Sequence, residues 1–340
     1  MKKIVFTLLA FSSLLWVGCK GKTEDKAQQS KTASEQSAEM KKIDELEQLN
    51  QDYRDIPDEK LLDNNGATGP VYTELKKRYK DQLTLLKQKV EATGAKFVVA
   101  IITPEVGPGI TNLTRFGHPY IKATCNELGI DVYDLSAAIA AQPVTEITQA
   151  PRDGHWSKKG SIFLAAQLAP IVKKYSGHKI PAVYKDSDRP ETFSDLPPND
   201  DEVLDGGKDL PYHVKANAQG LRMDHDIKFP KTKQHILVMG GSQIYSPFLD
   251  NEFITTTLLG KQFPDAEIMN CGMLCGCTDD FLSLWDEKAK YSEPDVVIVQ
   301  TNGTDITDLF FTNRNHLARS HKPYYPSATE EAYYKQTYLK

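Results

Sequence analysis

Residues 235–246 read HILVMGGSQIYS. A short apolar run rich in aliphatic residues meets two glycines, then a serine that opens a helical pattern. Such a run bounded by glycines is a buried strand. Small residues let the backbone turn sharply and let another molecule approach closely. In open α/β sheets reactive groups gather beyond the carboxyl ends of the strands. Ser242 is therefore the candidate nucleophile, and the N–H groups opening the following helix would lie near a developing oxyanion.

Four further runs have the same character: Lys96–Pro104, Ile130–Ser136, Ala266–Gly272 and Asp295–Gly303. Helical patterns at Tyr72–Ala92, Pro119–Leu128, Lys158–Tyr175, Gln243–Phe263 and Thr278–Tyr291 lie between or beside them. Strands alternating with helices predict an α/β fold with a five-stranded parallel sheet covered on both faces. Between residues 179 and 230 a Pro-, Asp- and Gly-rich stretch reads as a long surface connection. It divides a single domain, residues 58–340, into halves at 58–178 and 231–340.

A serine hydroxyl is weakly nucleophilic until a base takes its proton. Residues 151–161, PRDGHWSKKGS, supply one: His155 two residues after Asp153, ahead of the amphipathic pattern FLAAQLAPIVKKY. Asp153 would hold the imidazole's tautomer and steady the imidazolium. These residues also have plainer readings. Asp153 could cap the helix that begins near Ser157, Ser242 could cap its own helix with Ser246 one turn on, and Asn302 with Asp305 could make a turn.

MGGSQ, NCGMLCG, NGTD and DGHW together resemble the four blocks of the SGNH (GDSL-type) esterases, in an unusual order. The Asp/His block comes first and the Ser, Gly and Asn blocks second. Two half-domains would each leave open sheet edges, whereas one circularly permuted domain needs only neighbouring original termini. The Asp-x-His-Trp motif ahead of the serine resembles the periplasmic alginate O-acetyltransferases, an SGNH-like family. That resemblance implies a three-layer, flavodoxin-like fold, a Ser242–His155–Asp153 triad, and an oxyanion hole to which Gly276 and Asn302 would contribute. Arg222, in NAQGLR (Asn217–Arg222), resembles the lead-in to the serine strand and is a candidate substrate contact, though its first reading is structural. The chain departs from the usual pattern at Gly241, where GDS has Asp, and at Thr304, where G-x-N-D has Asn. CGMLCG also runs one residue longer than its counterpart block.

The N-terminus carries Lys2 and Lys3, then an apolar run from Ile4 to Val17, 14 residues long. That is shorter than the roughly 20 a spanning helix needs, so residues 1–18 read as a signal peptide. The ending Val17-Gly18-Cys19 resembles a bacterial lipoprotein signal. It implies lipidation at Cys19, and Lys20 favours the outer membrane over the inner. Polar residues 19–57 make a tether, with helical spacing at Ile43, Leu46 and Leu49. Loss of residues 1–18 moves the net charge from −5 to −7, which excludes nucleic acid as a natural partner.

Cys125, Cys271, Cys275 and Cys277 allow three complete pairings, and one disulfide or free buried thiols is favoured over a metal site. No metal and no cofactor is expected. In the aromatic tail, Tyr334 and Tyr338 read as one helix face packed on the domain.

The expected function is an exported serine esterase or O-acetyltransferase acting on acetyl esters of a cell-envelope or exported polysaccharide. Its partners would be the acetylated carbohydrate, the membrane through the N-terminal lipid, and a membrane O-acyltransferase. The competing reading is a non-catalytic polysaccharide-binding or scaffolding lipoprotein that retains the fold. A lipid or thioester hydrolase is a third.

Overall fold

The computed structural model describes residues 70–102, 112–204, 210–274 and 276–303, with 305, 306 and 309. The expected signal peptide (1–18) and tether (19–57), Cys19, Cys275, Thr304, Tyr334 and Tyr338 lie outside the described residues. Among the described residues no helix is long and apolar enough to cross a membrane.

In chain order the elements are α1 (Pro70–Glu91), β1 (Lys96–Ile101), α2 (Asn112–Glu127), β2 (Asp131–Asp134), α3 (Ser136–Ala140), α4 (Val144–Ile147) and α5 (Lys158–Lys174). After them come β3 (Asp201–Leu204), β4 (Tyr212–Lys215), β5 (Gln234–Gly240), α6 (Ser242–Tyr245), α7 (Thr255–Gln262), β6 (Ala266–Gly272), α8 (Thr278–Glu287) and β7 (Val296–Thr301). Five strands form one sheet in the order β2-β1-β7-β5-β6, every pair parallel. Counted from the serine-bearing strand, with the two early strands placed last, this order is 2-1-3-4-5, the flavodoxin-like doubly wound arrangement. The chain is thus a circular permutation of that order. β7, the last strand among the described residues, stands at the sheet's centre between β1 and β5.

Successive strand residues face opposite sides, and each side has its own core. Leu237, Met239, Val297, Val299, Phe97 and Val99 meet α1, α2 and α8 through Leu83, Leu86, Ile121, Phe281 and Trp285. Ile236, Val238, Val296, Ile298, Val98 and Ala100 meet α5 and α7 through Leu164, Leu168, Ile171 and Leu259. Both faces of each central strand are buried, which is why these strands read as continuous apolar runs.

The expected helix over Gln243–Phe263 is broken into α6 and α7. Pro247 follows α6, lacks an N–H and keeps its predecessor out of the helical region. Ser246 and Phe248 on either side take left-handed backbone angles, with φ of 60° and 66°. A second departure lies in the long connection, where β3 and β4 pair as an antiparallel hairpin. The connection is anchored at the amino ends of β5 and β7. Asp295 accepts from the Ile180 and His235 N–H groups at 2.7 and 2.8 Å and pairs with Lys231 at 2.8 Å. Glu293 accepts from Val183 and Tyr184 at 2.8 and 2.9 Å and pairs with Arg189 at 3.1 Å.

Cys125, Cys271 and Cys277 are all buried. Burial pushes the Cys125 thiol up to about 12. Among the described residues no group of His, Cys, Asp or Glu is arranged to hold a metal ion.

Candidate active site

Gly240 ends β5, and Ser242 opens the single turn of α6. The turn between them is tight on both sides. A Cβ on Gly241 would stand 3.0 Å from the Gly276 carbonyl oxygen. This gives a steric reason for glycine where the resembled motif has Asp. The Gly241 N–H donates to Oε1 of Gln300 at 3.2 Å. Gln300 is buried at the end of β7, and its Nε2 has no partner among the described residues. It is a residue that sequence reasoning missed, although a lone amide in an otherwise apolar strand is the signal that could have found it. Asn270 holds the far side of the turn, donating to the Ile244 carbonyl at 2.9 Å.

Asp153 and His155 come from the loop ahead of α5. Ser157 caps that helix, accepting from the Gly160 N–H at 3.1 Å, so the cap role open to Asp153 is filled by its neighbour. Trp156 is sunk into the core with α5, and a bridge pairs it with Thr148. Together they pin the residue before Trp156. Gly160 lets the segment dock, since a Cβ there would stand 1.8 Å from the Ile147 carbonyl oxygen. Gly160→Ala is expected to lower stability by about 1–3 kcal/mol through overpacking and to reduce any Ser242 reactivity by shifting His155. Urea unfolding and an ester-turnover assay check the two parts.

These two pieces of chain meet at the carboxyl end of the sheet. Ser242 Oγ lies 2.8 Å from His155 Nε2. On the opposite side of the ring, Nδ1 bonds to Asp153 Oδ1, and the same carboxylate oxygen accepts from the His155 backbone N–H at 2.8 Å. A carboxylate only accepts, so Nδ1 carries the proton and Nε2 is left to receive one from serine. The His155 side chain is 25% exposed and that of Asp153 is 9% exposed, so the imidazole can be reached while its partner is shielded. Such an arrangement can deprotonate the serine as it attacks a carbonyl and then return the proton to a leaving group. The first N–H groups of α6 have no partner within the helix, which leaves donors beside Ser242 for an oxyanion. With only one turn of helix, the macrodipole adds little.

The remaining candidates separate. Asn302 stands at the carboxyl end of β7, beside the strand that carries Ser242. Asp305 accepts from Thr301 Oγ1 at 2.7 Å, a contact within the strand's own exit. Gly276 lies against the serine turn through its carbonyl, while its N–H bonds to Met273 O at 3.3 Å. Arg222, a candidate substrate contact in the sequence, is instead buried beneath the loop that follows Ser242. Its guanidinium donates to the carbonyls of Tyr245, Ser246 and Leu249 and to Asn251 Oδ1, the Ser246 and Asn251 bonds being 2.9 and 3.0 Å. Burial depresses its pKa below the ordinary arginine value.

An aromatic layer borders the imidazole. The Phe248 ring meets His155 edge to face at 5.9 Å, and Tyr212 of β4 meets Phe248 at 5.6 Å. Beyond β4, a cavity of about 370 Å³ is lined by His213, Lys215, Asp224, Asp250, Asn251 and Glu252.

No protein-family model matches the chain, and no curated protein matches it. Solved structures similar to it include Pseudomonas aeruginosa AlgX, at 16% identity over 65% of this chain and 55% of that one, with a TM-score of 0.39. The O-acetyltransferase domain of Pseudomonas putida AlgJ is 14% identical over 69% of this chain and 84% of that one, with a TM-score of 0.40. Bacillus cereus PatB1 is 10% identical over 68% of this chain and 90% of that one, with a TM-score of 0.39. The chain spans 55% of the AlgX chain that it matches.

Proposed function

We propose that this chain is an SGNH-type serine enzyme that moves acetyl groups on a cell-envelope or exported polysaccharide. Ser242 is the nucleophile, His155 serves as base and then acid, and Asp153 orients it. The observation that carries this reading is the contact of 2.8 Å between Ser242 Oγ and His155 Nε2, with Asp153 on the other ring nitrogen. Residues 87 positions apart have no reason to adopt that alignment as helix caps. Ser157, not Asp153, caps α5, which supports a separate role for the Asp153 carboxylate.

The polysaccharide substrate follows from the DGHW and MGGSQ resemblance to the O-acetyltransferase family. In this reading Cys19 carries the lipid anchor, the protein works outside the inner membrane, and a membrane O-acyltransferase supplies the acetyl group. The competing reading, a binding lipoprotein, rests on two departures from the family pattern, Thr304 in place of Asn and Gly241 in place of the Asp of GDS. The nearness of the Gly276 carbonyl gives that glycine a steric reason compatible with activity.

A fluorophosphonate probe tests the shared chemistry. It is expected to label the purified, folded protein once, and peptide mapping should find the adduct on Ser242. A folded protein that takes no label, yet binds an oligosaccharide, would establish the binding reading instead.

A further inference from the structure

Phe248 occupies a left-handed backbone position, with φ of 66°, that bulky side chains rarely adopt. Strain of this kind persists only where the surroundings impose it. Here Arg222 imposes it, holding the Ser246 carbonyl before Phe248 and the Leu249 carbonyl after it. The hairpin closes from the other side. Asp250 accepts from the His213 N–H at 2.8 Å, and Asn251 exchanges hydrogen bonds with Lys215 N and O at 3.2 and 2.8 Å. This brings Tyr212 onto Phe248 and Phe248 onto His155. Phe248 is only 8% exposed, in one apolar cluster with Tyr212, Val214 and Tyr245. A buried cation, a strained loop and a hairpin thus converge on one result, an apolar wall against the imidazole.

We propose that Phe248 is a specificity-determining residue that keeps water from the acetylated serine, so that the acetyl group waits for a sugar hydroxyl. This rests on the acyl-transfer reading of Ser242. In the step concerned, the acceptor oxygen bonds to the acetyl carbon and the bond from that carbon to Ser242 Oγ breaks. The acceptor's proton passes to His155 Nε2 and from there to Ser242 Oγ. With water as acceptor the same exchange releases acetate. Both acceptors need the imidazole, so an apolar ring beside it disfavours a solvent molecule that no binding contact holds in place. A sugar held by its other contacts is less affected.

The test is the lifetime of the acetyl-enzyme in water. Wild type, Phe248→Leu, Phe248→Ala and Phe248→Asn are acetylated with p-nitrophenyl acetate, freed of reagent, and followed by intact mass. Asn tolerates the left-handed backbone, so it keeps the loop's shape while removing the apolar ring. Loss of the acetyl group is expected to accelerate about tenfold or more in the Asn and Ala variants, and the Leu variant should retain most of the wild-type lifetime. A faster step cannot come from a misfolded site, which slows both acylation and deacylation. Equal or longer lifetimes in folded Phe248→Asn and Phe248→Ala would overturn this assignment while leaving the acyl-transfer reading intact. Failure of the wild type to form any acetyl-enzyme would overturn both.

Discussion

Alanine in place of Ser242 is expected to lower p-nitrophenyl acetate turnover by about 10⁴-fold or more, as in serine enzymes whose nucleophile acts as one unit with its base. The acceptance geometry at His155 Nε2, 2.8 Å from Ser242 Oγ, assigns the hydroxyl one particular role. Without it the imidazole can at best activate water, in a position set for a serine oxygen. The backbone donors at the start of α6 would still stabilise an oxyanion, so a small residual rate above buffer is expected. Removing His155 as well should then add little, because the two residues act through a single proton transfer. The double variant compared with each single variant makes the check. A Ser242→Ala protein within tenfold of wild type, or additive losses in the double variant, would remove Ser242 from the chemistry.

Arg222→Met should be strongly destabilising, by about 3–5 kcal/mol, because several buried acceptors lose a charged donor at about 1–3 kcal/mol each, partly offset by relaxation of the loop. Methionine matches the length of the stem and supplies no donor. Three carbonyls, those of Tyr245, Ser246 and Leu249, and the Asn251 amide oxygen would each lose a hydrogen bond in a region closed to water. Unsatisfied buried acceptors are costly in proportion to their number. Arg222→Lys is expected to recover little, because one ammonium cannot reproduce a planar fork that reaches five acceptors, the His213 carbonyl among them. Urea unfolding monitored by tryptophan fluorescence measures both. A loss below about 1 kcal/mol for Arg222→Met would show that the loop holds its shape without the guanidinium, against the usual cost of buried acceptors left unsatisfied.

Much of this architecture was legible in the residues. The apolar runs of β1, β5, β6 and β7 declared themselves because both faces of these parallel strands are buried, leaving no polar alternation to confuse the pattern, whereas β2 at the sheet's edge is partly exposed. The early Asp153–His155 pair and the late Ser242 were legible as complementary parts, and so was the permuted order. Other features were hidden for identifiable reasons. Pro247 stood inside the helix expected over Gln243–Phe263, and its local veto was outweighed by apolar periodicity on both sides. The strands of the hairpin are four residues each, and Asp201–Leu204 is mostly exposed, so neither periodicity nor composition marks it. Arg222 and Gln300 act through backbone groups distant in sequence, and no spacing rule records such partners. The Gly241 departure was visible, but its cause was a carbonyl 35 positions further along the chain.

The central position of β7 has a consequence for how the protein comes into being. Until residues 296–301 leave the ribosome, the strands of the five-stranded sheet can form only two separate pairs, β1 with β2 and β5 with β6. The carboxylate and imidazole ride on one, the hydroxyl on the other, and nothing aligns them. β7 joins these two pairs into one sheet and acts as a keystone, so long-range pairing, slow by nature, gates the meeting of Ser242 with His155. A chain still being made therefore carries the hydroxyl, the imidazole and the carboxylate before it can bring them together.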